Sequence, residues 1–234
     1  MNNEYSMAQA GPMPVMALGV DARATFINRT YMHLLGAIIG FTLIEIFLFT
    51  SGLAEVLARA MLGVNWLIIL GAFMIVSWLA SHTAHKTESL GLQYAALGGF
   101  VLAEAIIFVP LLYVAHFYAP GVIQSAALVT LLGFLGLTGV AFYTRKDFSF
   151  LGSLLRWGFM VAIVLIVAGV LFGFQLGTFF SVAMIAFAGG AILYDTSNVL
   201  HHYPEDRYVG AALELFASVA LMFWYILRLF MSRD

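Results

Sequence analysis

The sequence predicts an all-α membrane protein, a bundle of seven transmembrane helices, and three observations carry that prediction. Apolar runs recur along the chain, each near the roughly 20 residues needed to cross a hydrocarbon core about 30 Å thick. The chain is 63% hydrophobic and 9% charged, whereas soluble domains carry about 25% charged residues. The runs are continuous rather than alternating, which argues against a transmembrane β-barrel. One bundle accounts for nearly all of the 234 residues and leaves no room for a second soluble domain of normal size.

The opening stretch "MNNEYSMAQAGPMPVMALGVDARA" reads as a flexible cytoplasmic tail over residues 1–24. Its apolar patch is interrupted by Gly11, Pro12 and Pro14 and has no basic flank, so it is not a signal peptide. Residues 25–234 then form the transmembrane domain, in seven segments: Thr30–Ser51, Met61–Ala80, Leu90–His116, Gly121–Tyr143, Leu151–Phe174, Thr178–Val199 and Val209–Met231. The connector "FGFQLGT" is short and makes segments five and six a tight hairpin. The most polar connectors are "SHTAHKTESL", "YTRKDFSFLG" and "HHYPEDRY". Close helix contact is expected at Gly169 with Gly173, Ala186 with Gly190, and Gly133, Gly136 and Gly139, since small residues let helix backbones approach in lipid.

Orientation follows from Lys and Arg. A cytoplasmic N-terminus puts Arg23, Arg29, Lys86, Arg145, Lys146, Arg156 and Arg207 inside and Arg59, Arg228 and Arg233 outside, seven against three. The C-terminus is then on the outside.

Four carboxylates lie in or near the apolar runs: Glu45, Glu104, Asp195 and Glu214. Ionisable groups at such positions usually face the bundle interior or a water-filled path. Glu45 and Glu104 are therefore candidates for lining a pathway, or structural carboxyls bonded to neighbouring helices. Pro110 follows Glu104 in the same segment and is a candidate kink. Asp195 and Glu214 stand nine residues before Pro204 and nine after Glu205. Hairpin symmetry gives them similar depth, about 10 Å inside the membrane ends at 1.5 Å per residue. Ser218 lies one turn deeper than Glu214 on the same face. Two carboxyls sharing a site titrate in coupled steps, and as an ionised pair would offer hard oxygen ligands suited to Ca²⁺. Ser218 is the other candidate partner for Asp195. The polar run Thr196, Ser197 and Asn198 also allows a frayed, hydrated helix end.

Absent Cys removes disulfides, thiol nucleophiles and thiolate metal sites. A net charge of −2 with scattered cations argues against nucleic-acid binding. His82 and His85 read as a membrane-surface cluster beside Lys86, and His201 and His202 as connector residues able to report pH. No HExxH or GxSxG motif occurs, so no catalytic residues and no resident cofactor are expected and the chain is not read as an enzyme. Lys86 and Lys146 both fall in loops, which rules out a retinal Schiff base in the last helix.

At "AFYTRKDFSFLG", "AILYDTSNVL" and "YILRLFMSRD" the sequence resembles the Bax inhibitor-1 family, also called the transmembrane BAX inhibitor motif family, from about Arg29 to Asp234. The resemblance implies a seven-helix bundle with the last helix near its centre. It also implies Ca²⁺ leak gated by protons through two aspartates on helices six and seven. Asp195 matches the first. The second does not carry over, because the last helix reads "ALELFASVAL", with Ser218 at the aspartate's place and Glu214 one turn earlier. The family's bacterial inner-membrane branch implies another role, as substrate and modulator of the FtsH membrane protease with its HflK and HflC partners, the N-terminal tail serving as a handle. The function expected on these grounds is protease modulation, with a pH-sensitive Ca²⁺ or cation leak as the alternative.

Overall fold

The computed structural model describes residues 13–232. A 3₁₀ turn at Val15–Ala17 precedes α1 (Val20–Thr50), α2 (Leu53–Leu62), α3 (Trp66–Lys86), α4 (Leu90–Tyr118), α5 (Val122–Thr144), α6 (Leu151–Phe172), α7 (Thr178–His201) and α8 (Tyr208–Met231). All except α2 are long and apolar enough to cross a membrane, giving seven spans. No strand occurs among the described residues.

The last helix forms the axis of the bundle. In its most apolar stretch α8 is 67% buried, against 11% for α3 and for α6. It packs against α1, α3, α4, α5 and α7. Leu213, Leu215, Phe216, Met222 and Leu227 supply its part of the core. Leu, Ile and Phe side chains on the outer helices remain exposed, as expected for surfaces that meet acyl chains rather than water.

Segment two, expected at Met61–Ala80, is shifted to Trp66–Lys86, which puts Lys86 at the end of a helix and not in a loop, and three further boundaries differ from the sequence-based expectation. The tail does not extend to residue 24. The Val15 side chain is fully buried, its N–H donates to the Tyr203 carbonyl at 2.9 Å, and Glu205 N–H donates to the Met13 carbonyl at 3.3 Å. The segment from Met13 is thus docked on the α7–α8 connector, and residues 1–12 of the expected tail lie outside the described residues. Helix α1 also begins ten residues early, at Val20 rather than Thr30. Phe26, Thr30, Leu34 and Ala37 form one buried stripe at helical spacing, which carries the helix beyond its apolar span. At 31 residues it is about 46 Å long. Third, the stretch expected as a connector after segment one contains α2. Ala54 and Ala58, one turn apart, pack with Leu48 and Val109, while Leu53, Val56 and Leu62 are exposed. Such a two-faced helix suits the plane of the membrane interface. Its Glu55–Arg59 pair, four residues apart, kept it out of the apolar runs.

Helix α4 continues through Pro110. Of the small residues expected at contacts, Gly133, Gly169 and Gly190 approach neighbouring atoms, whereas Gly136, Gly139 and Gly173 have none within 4 Å and Ala186 is exposed. The α6–α7 hairpin turns at Gly173, φ +74°, and Arg228 on α8 donates to the Leu176 carbonyl at 2.8 Å, tying that loop to the axis.

Candidate functional site

Asp195 lies near the end of α7, two turns before the connector. It is not on a frayed end: Asp195, Thr196 and Ser197 are all buried. Ser218 Oγ donates to Asp195 Oδ2 at 2.6 Å, joining α7 to α8. Among the described residues this is the only hydrogen bond to the Asp195 side chain.

Glu214, four residues earlier on α8, points to a different neighbour. Ser81 Oγ on α3 donates to Glu214 Oε1 at 2.6 Å. His85 Nδ1 stands 3.8 Å from the same oxygen. That nitrogen is 2.8 Å from the Ser81 carbonyl. A carbonyl only accepts, so Nδ1 carries the proton and donates. The other ring nitrogen, Nε2, lies 3.4 Å from Tyr203 Oη. Burial holds the Tyr203 phenol well above its ordinary value, so it stays a donor. Ser81, Glu214, His85 and Tyr203 thus link α3, α8 and the α7–α8 connector. The reason is a close helix approach. A Cβ on Gly210 would lie 3.2 Å from the Ala84 carbonyl and 3.4 Å from the His85 ring, so glycine there brings α3 within reach of Glu214 one turn later.

The hairpin symmetry therefore located two groups of similar depth, and the structure gives each its own partner. Asp195 is joined to Ser218, and no hydrogen bond joins the two carboxylates. No cluster of three or more His, Cys, Asp or Glu able to hold a metal occurs among the described residues.

Glu104 sits at the middle of α4, fourteen residues from Leu90 and fourteen from Tyr118. It is buried and lines a cavity of about 1090 Å³ between α3, α4, α6, α7 and α8. The wall also includes Ser77, Ser181, Glu214, Ser218 and Arg228. The space runs from the α6–α7 loop to the Ser218 hydroxyl, behind which Asp195 lies. Glu45 lines a separate cavity, on the α1, α4 and α5 side of α8.

Sequence reasoning missed Ser81 and Tyr203 and misread His85. The pair His82 and His85 divides: His82 is exposed and stacks on Trp78, while His85 turns inward. The spacing of Ser81 and His85, one turn apart on a helix, was the available signal. It also missed Asp147 in the α5–α6 loop. Asp147 accepts from Ser149 N–H at 2.8 Å and bonds His202 Nε2 at 2.9 Å. Ser197 Oγ accepts from Phe148 N–H at 2.9 Å, so the loop is clamped to the end of α7. The Ser149 backbone N–H, with help from His202, lowers the Asp147 carboxyl to about 2. Its unfolded value is about 3.9. The stabilisation is therefore present above that value and lost as pH falls toward about 2. The side chain is 46% exposed, so the effect is small. Thermal unfolding of Asp147→Asn is expected to show a deficit near neutral pH that vanishes in strong acid; a deficit independent of pH would exclude the ionised clamp.

Comparison with known proteins places this geometry. The chain is 29% identical over 168 residues to the Golgi anti-apoptotic protein of Vaccinia virus (strain Lister), covering 70% of this chain and 68% of that one. It is 35% identical over 116 residues to the modulator of FtsH protease YccA of Escherichia coli K12, covering 48% of this chain and 52% of that one. It is 32% identical over 143 residues to Bax inhibitor 1 of Schizosaccharomyces pombe, covering 58% of this chain and 48% of that one. Residues 23–234 match the family described as Inhibitor of apoptosis-promoting Bax1, and this multi-pass membrane protein belongs to the Bax inhibitor-1 family.

Proposed function

We propose that this protein resides in a bacterial inner (cytoplasmic) membrane and binds and modulates the FtsH–HflK–HflC protease, of which it is also a substrate. The carrying observation is the likeness to YccA, named as a modulator of FtsH protease. The site geometry supports an interaction role, because Asp195 is tied to a serine hydroxyl on the neighbouring helix and not to a second carboxylate. The proposed orientation puts the N-terminus in the cytoplasm and the C-terminus in the periplasm. The cations that support it are those counted above, of which Arg233 lies outside the described residues.

A second reading, a pH-sensitive Ca²⁺ or cation leak, is favoured by the cavity lined by Glu104, Glu214 and Ser218. In that reading Ca²⁺ is cargo, and the intramembrane carboxylates along the cavity act as its gate.

Both readings are testable in one preparation. FtsH with HflK and HflC is co-reconstituted with a membrane substrate in proteoliposomes, with and without this protein. Substrate degradation is expected to slow several-fold while this protein is itself cleaved; an unchanged rate without co-purification would remove the protease role. The same vesicles loaded with a Ca²⁺ indicator test the leak, which requires uptake whose pH profile changes in Glu214→Gln.

A further inference from the structure

Both carboxyl oxygens of Glu45 are buried without a hydrogen-bond partner among the described residues, and the residue is 8% exposed. A carboxyl in this condition is rare, because buried polar groups in native proteins are nearly always satisfied. It lines a cavity of about 490 Å³, within the range of about 300–1,000 Å³ typical of small-molecule sites. The other polar side chains on the wall do not serve it. Thr42 Oγ1 donates to the Ile38 carbonyl at 2.8 Å and Thr130 Oγ1 to the Ala126 carbonyl at 2.7 Å, so both hydroxyl protons are spent within their own helices. His116 also reaches the wall, with its ring edge-on to Phe49, and makes no ion pair with Glu45. No described side chain is therefore left to donate to this carboxyl, which is open to a donor from a bound ligand.

We propose that this cavity binds a lipophilic monocation, a single-chain aliphatic primary ammonium, with its head group on Glu45. A primary ammonium carries three N–H donors and satisfies both carboxyl oxygens at once. The rings of Phe41, Phe49, Phe134, Phe216 and Phe223 line the same space, and aromatic rings in a desolvated site favour a cation over a neutral head. The tail has an exit: Ile46 and Leu131 on the rim are 53% and 49% exposed, so an alkyl chain continues from the cavity into the bilayer. Glu45 stands five residues before the end of α1 at Thr50, about 7–8 Å in from that end. An amine moving from head-group level reaches it without crossing the membrane centre. The site is independent of the Glu104 and Glu214 cavity and of either functional reading.

The test is native mass spectrometry of the full-length chain released from detergent micelles and titrated with dodecylamine hydrochloride. One amine per chain is expected at saturation. Glu45→Gln, nearly isosteric, is expected to weaken binding about tenfold or more, the scale of a lost charged hydrogen bond. Ala127→Phe, which fills the wall and keeps the carboxyl, is expected to lose binding as well. Dodecanol is expected to bind far more weakly than the amine. Equal amine binding by Glu45→Gln, or equal binding of dodecanol and dodecylamine to the unaltered protein, would overturn the proposal and leave an apolar groove filled by any chain. Should Glu45→Gln fail to fold, undiminished amine binding by Ala127→Phe would overturn it too.

Discussion

Replacing Ser218 with valine is expected to destabilise the bundle by about 1–3 kcal/mol, because it strands a buried carboxyl. Ser218 Oγ is 2.6 Å from Asp195 Oδ2, both residues are buried, and no other described side chain bonds that carboxyl. Interhelical hydrogen bonds in membranes average only about 0.6 kcal/mol. The larger figure comes from the unpaired group, not from the lost bond. The two contributions separate in a double-mutant cycle. Asp195→Leu combined with Ser218→Val removes both partners and is expected to recover most of the loss, whereas Ser218→Thr retains the donor and costs less than valine. Unfolding measured in bicelles checks the cycle. Purely additive losses would mean that the two side chains act separately and that the α7–α8 bond contributes nothing of its own.

Gly210→Val is expected to have a comparable effect by a different route, about 1–3 kcal/mol from overpacking. A first carbon at this position already meets the Ala84 carbonyl at 3.2 Å. A backbone oxygen cannot rotate aside as a side chain would, so α3 has to move. Valine adds two methyl groups to that contact. The movement is also expected to break the Ser81–Glu214 bond, 2.6 Å in the native arrangement, and to release His85 from Tyr203. Two readouts distinguish this from general loosening. Crosslinking between cysteines placed on α3 and α8 should fall, while crosslinking between α7 and α8 should persist. Gly210→Ala is expected to show the same pattern more weakly. Unchanged α3–α8 crosslinking in the valine variant would show that the close approach is not needed to bring the two helices together.

The docked segment at Met13–Leu18 bears on any truncation. Deleting residues up to Gly19 removes Val15, which is fully buried, so such a deletion disturbs the α7–α8 connector as well as shortening the tail. A cut at residue 12 keeps the docked segment.

Much of the architecture is legible in the amino-acid sequence because the bilayer leaves few options. A chain with 63% hydrophobic residues in runs near membrane length has to satisfy its backbone within helices, so the number of spans and the α6–α7 hairpin follow from the apolar runs. The depth of Asp195, Glu214 and Ser218 follows as well, because rise per residue converts position into height. What spacing leaves open is rotation and neighbourhood. Glu214 and Ser218 share one stripe of α8, yet Glu214 meets α3 and Ser218 meets α7. Those partners are set by which helix lies against each level of the axis. Glu45 and Glu104 look alike as lone carboxylates in apolar runs, but they line separate cavities on different sides of α8. The short helix α2 and the docking of Val15 were hidden for a related reason. Each depends on a few small or apolar residues finding a surface distant in sequence, a contact that no local pattern encodes and only the packed bundle decides.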